Sequence, residues 1–194
     1  LFGRTMFPTA LNKDIPPFHN EIYKSLADES LKRVLIAAPR GTAKSTVTSL
    51  ILPLHKIAFK PSAEDLFIVI ISESQSQSIN FLSRIKYHLD SSKNFKQMFG
   101  DYSSLTAKRW TNNDIVLSNG ARIIAVGTGQ RVRGFIEGDT RPNLIIIDDY
   151  ESELNAATAE GRAKNRKWVT EAVIPSLSDD GRIVLIGTVI SEDC

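Results

Sequence analysis

Residues 34–46 read Val-Leu-Ile-Ala-Ala-Pro-Arg-Gly-Thr-Ala-Lys-Ser-Thr. An apolar strand runs into a tight turn, and the turn into a helix that opens on Lys-Ser-Thr. This is the layout of a phosphate-binding loop, in which backbone N–H groups wrap phosphates and a helix N-terminus faces negative charge. In such a loop Lys44 reaches the β- and γ-phosphates and the Ser45 hydroxyl sits on Mg²⁺. Pro39, Arg40, Gly41, Thr42, Ala43 and Thr46 complete the candidate binding segment. The usual pattern asks for glycine where this chain has Ala38 and Ala43. Alanine permits close backbone approach while φ stays negative, so Gly41 is expected to supply any positive φ. Without a nucleotide the same stretch is an ordinary strand-turn-helix carrying an exposed lysine.

A chain of 194 residues, 42% of them hydrophobic, is long enough for one α/β domain with a sizeable core. Its net charge of +2 does not by itself announce a nucleic-acid partner, so any DNA contact has to come from local patches. One cysteine, Cys194, excludes an internal disulfide and a cysteine metal cluster, which fits a reducing compartment. No stretch is long enough to span a bilayer, and no apolar core follows Leu1-Phe2-Gly3-Arg4 as in a signal peptide. The absence of an initiator methionine, and an end straight after a strand-like run, give the expectation of an excised domain.

Pro8, Pro16 and Pro17 keep residues 1–19 irregular, and a short amphipathic helix is predicted from Asn20 to about Asp28. Phe18 and His19 either flank an adenine ring or serve the core. After the loop, Val47, Leu50, Ile51, Leu54, Ile57 and Ala58 recur at helical spacing, with Pro53 expected to kink or end the helix. Leu66–Ile71 is wholly apolar and β-branched, as in a strand of a parallel sheet covered on both faces. Ser72 or Ser74 caps the next helix, which carries Ile79, Leu82, Ile85 and Leu89 on one face. A short helix is expected around Phe95 to Phe99. Asn119-Gly120 between Asp114–Leu117 and Ala121–Val126 signals a hairpin, and Trp110 before it is read as core.

The glycine-rich, basic run Gly127–Phe135 follows, read either as a solvated loop or as Arg133 presented to phosphate. Next, Leu144–Ile147 is an apolar strand ending in Asp148 and Asp149. A strand that delivers a carboxylate at its carboxyl end is how a Walker B motif places an acid beside Mg²⁺, and ligands of open α/β sheets bind at those ends. Two adjacent carboxylates otherwise repel, and a cation relieves them. Residues 156–174 read as a basic amphipathic helix, and a last strand, Arg182–Ile186, ends in Gly187-Thr188.

In this order, Ala38–Thr46, Arg133-Gly134, Arg141–Asp149 and Leu185–Thr188 resemble the ATPase domain of the large terminase subunit of tailed bacteriophages, the motor that packages DNA. The resemblance runs from Pro17-Phe18-His19 to Gly187-Thr188. It implies an additional-strand P-loop NTPase: a mostly parallel sheet with helices on both faces and the Gly187-Thr188 strand between the Lys44 and Asp148 strands. Residues 1–194 are then one ATPase domain, with 1–30 an adenine-side segment and 31–190 the P-loop core.

The resemblance also implies roles. Lys44 and Ser45 hold phosphate and Mg²⁺, Asp148 is the metal-side acid, and Thr188 couples hydrolysis to movement. The position of the water-polarising glutamate is Asp149, one methylene shorter, so the base is Asp149 or Glu151. Arg40 matches an arginine acting in cis, and Arg133 a finger reaching a neighbouring subunit. Phe18 and His19 fall at the adenine side. The implied cofactors are ATP and Mg²⁺. The implied partners are double-stranded DNA, a portal protein, a small terminase subunit and further copies in a ring, with an isolated domain as a monomer; a membrane is not among them. The implied location is the host cytoplasm, and the family's C-terminal nuclease domain is expected to lie outside this sequence. The competing readings are a helicase-like or remodelling ATPase and a nucleotide-binding scaffold that does not hydrolyse.

Overall fold

In a computed structural model, residues 2–8, 16–60, 66–130, 140–151 and 157–188 are described. Seven strands form one sheet: β1 (Arg33–Ala37), β2 (Phe67–Ser72), β3 (Arg109–Trp110), β4 (Asp114–Val116), β5 (Arg122–Gly127), β6 (Leu144–Asp148) and β7 (Arg182–Gly187). Their order is β1-β7-β6-β2-β5-β4-β3. The first five of that order are mutually parallel, while β4 runs antiparallel to β5 and β3. All five parallel strands therefore end on one edge, and β7 lies between the Lys44 and Asp148 strands as expected.

The apolar runs choose this arrangement. Every residue of β2 and β6 is buried, which only a strand with both faces covered allows. One face, with Val34, Ile36, Ile68, Ile70, Ile146 and Val184, packs under the turn Val47–Ile51 that joins the short helix α3 (Lys44–Thr46) to α4 (Leu52–Ala58), under α4 itself and under α5 (Gln75–Ser91). The other, with Phe67, Val69, Ile71, Ile145 and Ile147, packs against the turns that follow α7 (Ala159–Trp168), through Val169, Val173 and Leu177. The edge strand β1 alternates exposed and buried, and Leu35 is left 73% exposed. Helices α1 (Phe2–Met6), α2 (Pro17–Ala27) and α6 (Lys93–Phe99) complete the described elements used below.

Local signals mostly held. Ser74 caps α5 by accepting from the Gln77 N–H, and Leu82, Ile85 and Leu89 are buried on its inner face. The hairpin turns at Asn119-Gly120, where Gly120 has φ +91°. Trp110 is half-buried against the core, with Lys86 Nζ 5.2 Å from its ring centroid. Three expectations fail in whole or in part. Residues 1–19 are not irregular throughout: α1 occupies Phe2–Met6 and α2 starts at Pro17 rather than Asn20, because a proline in the first helical turn lacks only an N–H that would have no partner there. Pro53 does not end its helix: a π-helical turn, Val47–Ile51, precedes it and α4 continues to Ala58. A proline has no N–H to give, and the widened turn just before it is where the helical ladder absorbs that loss. The basic helix is also shorter than read. It passes after Trp168 into a π turn, Val169–Val173, and a 3₁₀ turn, Ile174–Ser176.

Candidate functional site

The carboxyl edge of β1, β7 and β6 gathers most of the residues singled out in the sequence. β1 delivers the loop, anchored by Ala38 N–H donating to the Gly187 carbonyl on β7 (3.2 Å). Within the loop the Thr42 hydroxyl donates to the Pro39 carbonyl (2.8 Å). Gly41 takes φ +80°, as anticipated, but Ala43 also stands in the left-handed region at φ +57°. The expectation of negative φ at Ala43 is thus corrected, and a left-handed alanine costs about 1–2 kcal/mol that the surrounding contacts must offset. One such contact is His19: its buried ring Nε2 lies 2.6 Å from the Thr42 carbonyl, which only accepts, so Nε2 carries the proton. His19 therefore braces the loop from α2. Phe18 beside it is 38% exposed, which decides against a core role.

The helix that begins at Lys44 brings three polar side chains onto the strand ends. Lys44 is buried and donates from Nζ to the Thr188 hydroxyl (2.9 Å). Ser45 Oγ donates to Asp148 Oδ1 (2.9 Å), and Ser49 Oγ donates to Asp148 Oδ2 (2.6 Å). Asp148 is 1% exposed. Burial pushes its carboxyl up to about 6; the Ser49 and Ser45 hydroxyls pull against that rise, the Asp149 charge adds to it, and Lys44 opposes it.

Asp149 leaves the strand at φ +44°. Its N–H donates to the Ile186 carbonyl, its carbonyl accepts from Glu73 N–H, and its Oδ1 accepts from Thr188 N–H (3.1 Å). Thr188 thus links Lys44 to Asp149. Glu151 is half-buried, two residues beyond Asp149, and Arg40 is exposed on the loop. Thr46 is half-buried on the first turn of the helix.

Arg133 lies outside the described residues, but the stem leading to it is well fixed. Thr128 N–H donates to the Ser72 carbonyl, and its hydroxyl donates to the Tyr150 carbonyl. Gln130 is tied on both sides: its amide donates to Gln75 Oε1, and its carbonyl accepts from Trp168 Nε1. Gly127 must be glycine here, since a Cβ would sit 2.7 Å from the Gln75 nitrogen. Sequence reasoning missed this bracket and also missed Ser49. The readable signal for Ser49 was a polar run, Ser45-Thr46-Val47-Thr48-Ser49, opening an otherwise apolar helix. A cavity of about 630 Å³ lies elsewhere, among Phe2, Tyr23, His55, Phe59, Met98 and Phe99.

Among solved structures, the chain is similar to the HK97 bacteriophage large terminase, with a TM-score of 0.57 at 11% identity over 93% of this chain. The Thermus phage P74-26 large terminase ATPase domain gives 0.57 at 16% identity over 96% of this chain. This chain has the fold of a large-terminase ATPase domain. The Phi-28 gp11 DNA packaging motor gives 0.50 at 11% identity over 84% of this chain. The chain spans 34%, 70% and 48% of those three chains respectively. No family model matches the sequence, and no curated protein does. At such identities the likeness establishes the terminase-type P-loop fold, and the chemistry must be argued from the residues. Among the described residues no helix is long and apolar enough to cross a membrane.

Proposed function

We propose that this chain is the ATP-hydrolysing module of a viral DNA-packaging motor. The observation that carries the reading is the hydrogen-bonded chain at the strand ends: Lys44 to Thr188 to Asp149, with Asp148 held beside it by Ser45. Phosphate loop, acid strand and intervening strand meet where open α/β sheets bind ligands.

The residues fit a magnesium nucleotide. Ser45 offers a hydroxyl lone pair while its proton goes to Asp148, and Asp148 offers carboxylate oxygen, both hard ligands suited to Mg²⁺. Ser72, in register with Asp148 on the neighbouring strand, has a buried hydroxyl with no partner among the described residues, a ready contact for a cation's hydration water. No group of three or more His, Cys, Asp or Glu that could hold a metal occurs among the described residues, so phosphate and water would complete the coordination.

When bound, Mg²⁺ offsets charge on the phosphate oxygens. Lys44 turns from Thr188 to the phosphates, and the loop N–H groups from Gly41 to Lys44 wrap them. Asp149, or Glu151, takes a proton from the attacking water. Arg40 or Arg133 stabilises charge on the transferred group, Arg133 from a neighbouring subunit. Thr188, released by Lys44 while still bonded to Asp149, reports phosphate occupancy to β7. His19 and Phe18 border the adenine. The partners on this reading are double-stranded DNA, a portal protein, a small terminase subunit and further copies of the chain, at the procapsid in the host cytoplasm.

A second reading, a scaffold that binds nucleotide without hydrolysing it, is favoured by one observation: the Asp149 carboxylate is short and already accepts from Thr188 N–H. Phosphate release with and without double-stranded DNA separates the two. DNA-stimulated, Mg²⁺-dependent turnover supports the motor, and tight ATP binding without turnover supports the scaffold. Mixing an Arg133→Ala chain with an Asp149→Asn chain tests the finger: recovered activity places it in trans.

A further inference from the structure

Asp148 is gripped at both oxygens, by two serines from successive turns of one helix. Ser45 holds Oδ1 at the half-buried, open end of the site, whereas Ser49 is fully buried and holds Oδ2 on the core side at 2.6 Å. That distance makes it a short hydrogen bond for two oxygens. Ser49 lies in the middle of the π-helical turn Val47–Ile51, which packs directly on β6. Such turns are frequent at functional sites.

We infer that Ser49 is a positioning residue for Mg²⁺ binding: by fixing Oδ2 of Asp148 it sets the plane of the carboxyl group and turns Oδ1 toward Ser45 and the cation. This rests on the proposed magnesium-nucleotide reading. The alternative for Oδ2 is a buried acceptor with no donor, since the neighbouring Thr48 hydroxyl is spent on the Lys44 carbonyl (2.9 Å). A carboxylate so placed is no longer held against rotation about its Cβ–Cγ bond, and a ligand oxygen that is not fixed weakens a cation site before any chemistry begins. Ser45 alone cannot substitute, because its single proton is committed to Oδ1.

The test is equilibrium binding of a fluorescent ADP to the chain, titrated with MgCl₂ and repeated in EDTA. Ser49→Ala leaves a buried acceptor unpaired, so its melting temperature should fall, and binding is compared at a temperature where both chains are folded. The Mg²⁺ concentration giving half of the affinity gain should rise by about tenfold, the worth of one hydrogen bond to a buried charge. ADP affinity in EDTA should not move. Ser49→Thr, which restores the hydroxyl, should recover the Mg²⁺ response. In an Asp148→Asn background, Ser49→Ala should add nothing, because its effect passes through that carboxylate. An unchanged Mg²⁺ response in Ser49→Ala overturns the inference and leaves the nucleotide reading standing. So does an equal loss of ADP affinity with and without Mg²⁺, which marks a merely structural serine. If the parent chain shows no Mg²⁺-dependent ADP binding, the nucleotide reading fails and the inference falls with it.

Discussion

Two carboxylates on this sheet have opposite surroundings. Asp114, on β4, meets Arg109 Nη1 at 2.8 Å and Arg122 Nη2 at 2.9 Å, so the chain supplies its countercharge. Asp148, on β6, is more deeply buried and is held by two neutral hydroxyls, while the lysine nearest in the chain of contacts gives its proton to Thr188. A carboxylate paired with two guanidiniums belongs to the architecture. One that is buried and, among the described residues, held by hydroxyls and no ion pair is, on the proposed reading, the one that receives a cation from outside. The contrast separates the structural end of the sheet, the β3–β4–β5 hairpin region, from the proposed working end at β1, β7 and β6.

The largest effects should fall at the working end. Lys44→Ala and Asp148→Ala should each lower ATP turnover by on the order of 10³ or more, measured as phosphate release, because the first removes charge neutralisation of the phosphates and the second the proposed Mg²⁺ anchor. Asp149→Asn should lower turnover by about 10²–10⁴ while nucleotide affinity holds, since water activation matters only in the transition state. If affinity falls equally, Asp149 is a metal-side ligand; if Glu151→Gln alone stops turnover, the base is Glu151.

At the other end, Asp114→Ala should cost stability and spare chemistry. It leaves Arg109 and Arg122 facing each other without their shared acid, a loss of about 1–3 kcal/mol, read as a lower denaturation midpoint with unchanged turnover per folded molecule. A drop in turnover without a drop in stability would erase the contrast.

The smallest effect is a pH dependence. Burial raises the Asp148 carboxyl to about 6, above its ordinary value, so the fold favours its protonated form. Its contribution to stability is therefore complete below its ordinary pKa and is lost as pH rises through about 6. Nucleotide-free protein compared with Asp148→Asn by thermal melts between these limits should show the variant with the flatter profile.

The same contrast shows what the sequence made legible. Contiguous apolar runs such as Leu66–Ile71 and Leu144–Ile147 announce strands covered on both faces, and a terminal Asp148-Asp149 announces an edge with chemistry, because burial and period leave few alternatives. Asn119-Gly120 fixed the hairpin for a local steric reason. What stayed hidden depends on partners remote in sequence. Ser49 reads as one more polar residue until β6 lies across its helix. The left-handed Ala43 follows from a loop held by His19 and Gly187, against its own preference. Gln130 gains its meaning only from Gln75 and Trp168.

The most direct measurement is a crystal structure with a non-hydrolysable ATP analogue and Mg²⁺. The account predicts phosphates against the Gly41–Lys44 N–H groups and Lys44 Nζ moved from Thr188 to a phosphate oxygen. It also predicts a cation about 2.1 Å from Ser45 Oγ, beside Asp148. Nucleotide bound away from Lys44, or bound with the Lys44–Thr188 hydrogen bond intact and no cation near Asp148, would contradict it.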